Sequence, residues 1–292
     1  YYFKKDDSET TEKDENEEDS EEKEETDDTA SEEKMDGKHK DSLYLRIYDG
    51  SRLIRTLKQK KPDSTGIYTW RWRMNEAGVD RPSRSIRDRK NEPSGTSVKP
   101  GTYRAELSYS DETSTSLITV KSDPRLTVSE KAINEAYTAS KELEKMTQTA
   151  ADAVKQLVES KNTAEDFRKK LKENASEDKK YKDEIKASKE IVKKIDSVIA
   201  IYLGKEDDRQ GIVRSIEPNV MQRIWQASRY SGSRPNGMTA TEQRLMQHAK
   251  NALAEALKAT NNFFVTEWPE YKSNMESIEL SPFKETKTFE TN

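Results

Sequence analysis

Groups suited to acid–base, nucleophilic or metal chemistry are sparse in this chain. It holds two histidines, His39 and His248, and no cysteine. His39 follows an acidic low-complexity run. His248 stands alone in a helical pattern, where an exposed or packed position is expected rather than a catalytic one. Without thiols there is no disulfide framework and no thiolate metal site. No His-Glu-x-x-His pair, phosphate-binding glycine loop, dinucleotide glycine pattern or nucleophile elbow occurs. Carboxylates abound, but paired-carboxylate hydrolysis needs two held at a defined separation in a cleft, and no pair stands out. The chain therefore reads as a non-enzyme, with no catalytic, cofactor-binding or metal-ligating residue assigned and no cofactor expected.

Other patterns suit binding. Trp70 and Trp72 alternate with Arg71 and Arg73, an arrangement that can stack on nucleic-acid bases. The favoured reading places the aromatics in a core and the arginines in water, so no nucleic-acid partner is expected. Arg81, Arg84, Arg87 and Arg89 share a loop over residues 75–99; they could meet phosphate or an acidic segment, with a solvated loop favoured. The lysines of residues 169–189 are interleaved with Glu173, Glu177, Asp178, Asp183 and Glu184, which reads as a solvated helix face.

Charge divides the chain unevenly. Residues 6–36 carry 18 acids against three lysines, a net −15, which leaves the remainder at +11 within an overall −4. Residues 6–41 bury too little apolar surface to offset ordering entropy, so disorder is expected there. Binding cations, mimicking nucleic acid and screening a basic neighbour are open roles for this stretch; a solvated insertion between two strands is favoured. No apolar run approaches the ~20 residues that span a bilayer. The chain begins at Tyr1 with no signal-peptide pattern. It is expected to be part of a longer protein whose targeting signal lies upstream.

The elements that would position any site fall into two kinds. Up to residue 125 the pattern is β. Tyr1-Tyr2-Phe3 reads as the end of a strand. Leu43, Leu45 and Ile47 alternate inward, Asp49-Gly50 signals a hairpin, and Arg52 to Leu57 returns. Gly66 to Met74 reads as a strand with Tyr68, Trp70, Trp72 and Met74 on one face. Pro100-Gly101 reads as a type II turn with glycine at φ > 0. Tyr103, Ala105, Leu107 and Tyr109 then line a strand that turns near Ser110-Asp111 and returns to Val120. Asp123-Pro124-Arg125 ends the β part. About six short strands with regular turns predict an antiparallel sandwich.

After residue 127 the period becomes helical. Ser129 is a candidate N-cap. The stripe from Ile133 through Ala150, Val154 and Leu157 continues toward Leu171. A second seam runs Tyr181, Ile185, Ser188, Val192, Ile195, Ile199 and Tyr202, stopped by Gly204. A short helix over residues 220–230 would carry Trp225. The last long helix opens near Thr239 to Glu242 and meets Pro269, which should end or kink it. The fold class expected is all-β plus all-α in two domains. These are an Ig-like sandwich over residues 1–125, interrupted by the acidic insertion, and a three-helix antiparallel bundle over 126–278. A tail follows at 279–292. Small residues in the seams favour intramolecular packing over a coiled coil with a second chain.

The quoted pieces carry a family resemblance. Leu45-Arg46-Ile47-Tyr48-Asp49-Gly50, Leu53 to Leu57, Gly66-Ile67-Tyr68-Thr69-Trp70, Pro100-Gly101-Thr102-Tyr103 and Asp123-Pro124-Arg125 occur in an order that resembles the C-terminal region of large secreted bacterial proteins. Those proteins carry sortilin-like, Asp-box (BNR) repeat β-propellers, are common in Bacteroidetes and are often labelled glycosyl hydrolase-like. The β part is similar to the Ig-like domain of the flagellar hook-cap family. The resemblance implies an extracytoplasmic location in a Gram-negative bacterium and a propeller upstream. No Asp-box occurs here, so no propeller activity carries over, and no family catalytic residue maps onto this chain; the acidic insertion departs from the family pattern, which leaves the fold implied intact and the partners open. The expected function is a non-catalytic accessory module that packs on or spaces the propeller and binds protein or glycan. The alternatives are one wall of a glycan-degrading hydrolase's cleft, marked by acids and aromatics near Trp225 and Trp268, or a helical scaffold that oligomerises through the 185–202 seam.

Overall fold

The computed structural model describes residues 1–4, 42–86, 89, 91–174, 181–206, 218–231 and 237–278. The expectations for the acidic stretch with His39, for Arg87 and for the tail at 279–292 lie outside these residues. Two compact units emerge. One comprises Tyr1–Ala77 with Pro100–Ser122, the other Gly78–Lys99 with Asp123–Asn292. Antiparallel strands precede four helices, so the class is α+β. The strands are β1 (Tyr2–Phe3), β2 (Ser42–Asp49), β3 (Arg52–Lys60), β4 (Gly66–Ile67), β5 (Asn75–Ala77), β6 (Ser94–Ser97), β7 (Gly101–Tyr109) and β8 (Glu112–Val120). The helices are α1 (Glu130–Asn174), α2 (Lys182–Leu203), α3 (Val220–Ser231) and α4 (Ala240–Glu276).

In the first unit, β3, β2, β7 and β8 form one antiparallel sheet in that order. Both hairpins close through two residues. The expected hairpin forms, with Gly50, at φ 61°, at the first central position after the paired Asp49 rather than at the second. Ser110 takes the equivalent position at φ 46°. One face of the sheet buries Leu43, Ile47, Tyr103 and Ala105. Phe3 packs edge-on to Tyr109 at 5.3 Å and Trp72 edge-on to Tyr103 at 5.6 Å, closing that core.

Two β expectations need correction. Gly66 to Met74 is not a continuous strand. Its ladder with β1 runs to Ile67, followed by reciprocal bonds between Tyr1 and Tyr68. The alternation persists without the ladder, with Tyr68, Trp70 and Trp72 half-buried and Thr69, Arg71 and Arg73 exposed. Met74 breaks it, exposed and at φ 54° rather than inward. Gly101 is not a positive-φ turn residue either; it opens β7 opposite Val120. The returning strand forms as expected in β3, with a bulge: Ile47 faces Arg55 but Tyr48 faces Leu53. The extra residue, Ile54, is buried, and the shift turns Arg55 onto the core face. There Arg55 donates to the Glu76 carbonyl at 3.3 Å, while Arg52 grips the buried Glu76 carboxylate at 2.9 and 3.2 Å. A buried arginine is thereby hydrogen-bonded rather than stranded.

In the second unit each helix packs on the other three. Ser129 Oγ accepts from the Ala132 amide at 3.2 Å, capping α1 as expected. Its stripe buries Leu143, Ala150, Val154, Leu157, Ala164 and Leu171. The α2 seam buries Ser188, Val192, Ile195, Ile199 and Tyr202, and Gly204 at φ 84° ends it. Thr239 and Glu242 form a reciprocal capping box at the start of α4. The short helix expected over residues 220–230 forms as α3 and buries Val220, Ile224 and Ala227 in the common core with the three long helices. Pro269 does not end α4, which runs on to Glu276. Proline and the Val265 side chain one turn before it are exposed, so water can serve the freed carbonyl, while Tyr271 and Met275 beyond it are buried. No helix among the described residues is long and apolar enough to cross a membrane.

The 78–99 segment belongs with the helices. The Asp80 amide donates to Gln148 at 2.9 Å, the Thr96 amide to Glu144 at 2.5 Å, and Lys99 to Asn134 at 3.0 Å, all on α1. Gly78 lets the segment fold on itself, since a Cβ there would meet the Ser94 carbonyl oxygen at 2.5 Å.

Two buried phenols tie α4 to α2. Tyr202 and Thr260 share a hydrogen bond of 2.8 Å, and Tyr271 and Ser188 one of 3.0 Å. Removing the Thr260 hydroxyl (Thr260→Val) strands the Tyr202 phenol and should cost about 1–3 kcal/mol in urea unfolding, part of which Tyr202→Phe restores. Burial pushes both phenols above their ordinary 10.0, against the opposing pull of Thr260 and Ser188. The folded chain then holds protons that the unfolded chain releases. This stability is complete below 10.0 and is lost as pH rises through the raised folded-state values. Alkaline unfolding curves of Tyr202→Phe and Tyr271→Phe should accordingly be flatter above that pH than those of the parent chain.

Candidate functional site

The second face of the four-stranded sheet carries the most organised exposed chemistry. Strand alternation that sends Leu43, Leu45 and Ile47 inward leaves Tyr44, Arg46 and Tyr48 on the opposite side. On β7 the same logic leaves Arg104, Glu106 and Ser108. The register then sets Tyr44 opposite Ser108, Arg46 opposite Glu106, and Tyr48 opposite Arg104. Lys58 and Thr56 flank this block on β3, and Thr113, Thr115 and Leu117 on β8.

These side chains are locked to one another. The Arg104 guanidinium sits 4.0 Å from the centre of the Tyr48 ring and pairs with Glu106 at 2.6 Å. Tyr48 donates to the other Glu106 oxygen at 3.4 Å. Arg46 donates to Ser108 at 2.9 Å and lies 3.8 Å from Glu106. Arg46 and Lys58 both approach the Tyr44 ring, each at 5.5 Å. Three cations against one carboxylate make the face basic. Leu53, 48% exposed, and Leu117, 71% exposed, add apolar surface on its outer strands. Tyrosine and arginine are the residue types that most often anchor interfaces, because they combine large area with polar reach. The arrangement suits docking of a flat, weakly acidic surface; it holds no nucleophile paired with a base.

Other sequence candidates resolve individually. His248 is exposed on α4. The arginines of the 75–99 loop are not a freely solvated cluster. Arg84 donates to the Gly204 carbonyl at 2.5 Å and pairs with Glu206 at 3.3 Å, and Arg89 pairs with Asp80 at 3.2 Å. Arg81 lines a hollow beside α1 with Arg89, Asp152 and Lys155. Trp225 and Trp268 have separate settings. Trp268 packs among Phe263, Phe264 and Tyr271. Trp225 is 61% exposed on α3 with Arg229 over its ring at 5.3 Å, beside Tyr230. Among the described residues no group of three His, Cys, Asp or Glu side chains gathers in a way that could hold a metal ion. The α2 seam offered to a second chain is buried by helices of this chain.

Tyr44, Tyr48, Arg104 and Glu106 were not singled out in sequence. The signal lies in the outward positions of two strands, which become one surface only once their register is known.

A comparison with known protein families, curated proteins and solved structures gives no match.

Because the Tyr48–Arg104–Glu106 group is solvent-facing, its role in stability should be small. Tyr48→Ala and Arg104→Ala should each shift urea unfolding by under about 1 kcal/mol. A larger loss would place these side chains in the fold's support rather than on a binding face.

Proposed function

We propose that this chain is a non-catalytic interaction module that accompanies a secreted β-propeller protein and docks through the second face of its four-stranded sheet. The observation that carries the reading is the cross-strand Tyr48–Arg104–Glu106 group. Its aromatic and guanidinium surfaces are held in one geometry before any partner arrives, so little side-chain entropy is lost on binding. The ordered Gly50, Pro100-Gly101-Thr102-Tyr103 and Asp123-Pro124-Arg125 pieces support the relationship to the C-terminal region of sortilin-like, BNR-repeat proteins. In that reading the β unit is an Ig-like sandwich, the helical unit elaborates the three-helix bundle by α3, and the protein works outside the cytoplasm. The propeller encoded upstream is the partner.

The test is calorimetry of this chain against the separately expressed upstream region at two salt concentrations. Association is expected, weakened roughly tenfold by Arg104→Ala or Tyr48→Ala, as for anchoring residues. It should weaken further as salt rises, since the face is basic. A folded chain that shows no association, or association indifferent to both substitutions, would overturn the proposal.

A further inference from the structure

The two edges of the four-stranded sheet are built differently. β3, at one edge, bulges at Ile54 and carries Arg52, Arg55, Lys58 and Lys60. Bulges and basic side chains are how proteins keep an edge strand from pairing with another chain. β8, at the other edge, has neither device. Its register with β7 runs from Gly101–Val120 to Tyr109–Glu112 without a shift. Between Thr113 and Val120 it holds no charge, no proline and no glycine. Residues 112–117 are exposed on both sides of the strand, and among the described residues β8 pairs with β7 alone. Its outer row of backbone donors and acceptors is a template for one more strand.

We infer that this edge pairs with β8 of a second copy of the chain, antiparallel about a two-fold axis at Ser116. The charges at the strand's ends select that partner. Asp111 precedes β8 and Lys121 follows it, and both are exposed. An antiparallel pair centred on Ser116 sets Asp111 of each copy opposite Lys121 of the other. The same register places Thr115 opposite Leu117 and Ser114 opposite Ile118, so no like charges meet along the ladder. Leu117, on the same sheet face as Arg104 and Tyr48, gains an apolar cross-strand neighbour in the Thr115 methyl. The two four-stranded sheets become one eight-stranded sheet, and the basic faces of both copies lie side by side on it.

Sedimentation of the full chain across a concentration series tests this. A monomer–dimer equilibrium is expected. Ser116→Lys, which sets two lysines opposite each other at the axis, should leave a monomer with unchanged circular dichroism. Asp111→Lys should raise the dimer dissociation constant about tenfold, because two pairs are lost. Combining it with Lys121→Asp should restore the parent value. A monomer at every concentration would overturn the inference and give the edge to a strand of another protein. A dimer indifferent to Ser116→Lys, or one the charge exchange fails to restore, would overturn it equally.

Discussion

With 31% of its residues hydrophobic and 37% charged, the chain fills two cores only by admitting polar side chains to them. That scarcity shapes both units. In the helical unit the α2 seam spends Ser188 and Tyr202 on positions a richer sequence would give to leucine, and each finds a hydroxyl on α4. In the β unit Arg55 enters the core face and is held by the Glu76 carbonyl. Burial of a polar group costs free energy unless it is paired, so each insertion demands a partner at one distance and angle. Such a core tolerates fewer alternative packings than an all-leucine one.

The same economy explains where the long 78–99 segment goes. A segment rich in arginine, proline and serine carries little apolar surface, and composition alone assigns it to water. It is fastened instead by polar contacts: backbone amides of Asp80 and Thr96 to side chains of α1, and Arg84 to the exposed carbonyl end of α2. The C-terminal end of a helix presents carbonyls without intrahelical partners, and a guanidinium suits them in both charge and geometry. Small and polar groups on the outer face of α1 thus do for the loop what the apolar stripe does for the helices.

Periodicity made much of this architecture legible. The stripes of α1 and α2, the Gly50 hairpin, the Ser129 cap and the Thr239–Glu242 box all follow from residue type and spacing within one turn or one strand. Other features left no such mark. Gly66 to Met74 has strand composition, yet its ladder with β1 takes in only Gly66 and Ile67. The β3 bulge depends on a single unpaired residue, Ile54, which reverses the facing of Arg55 and leaves no mark in the local pattern. Of the two outcomes Pro269 leaves open, an end or a kink, the end is excluded, because buried Tyr271 and Met275 hold the chain helical beyond it. There tertiary packing outweighs a local preference of about 3 kcal/mol.

The candidate face was hidden for a related reason. Alternation tells which side chains leave the core but not which of them meet. Tyr48 and Arg104 are brought together only by the pairing of β2 with β7, across more than fifty intervening residues. Before that pairing is known, Arg46 and Arg104 are two ordinary solvent-facing arginines. Once it is known, Glu106 sits between them and both cations lie against tyrosine rings. A surface arginine normally samples many rotamers, and a solitary surface ion pair is worth little. Stacked and paired on both sides, the guanidinium keeps one orientation and loses less freedom when a partner docks. The energetic case for a binding surface thus rests on strand register, and register is decided by the apolar residues of the opposite face.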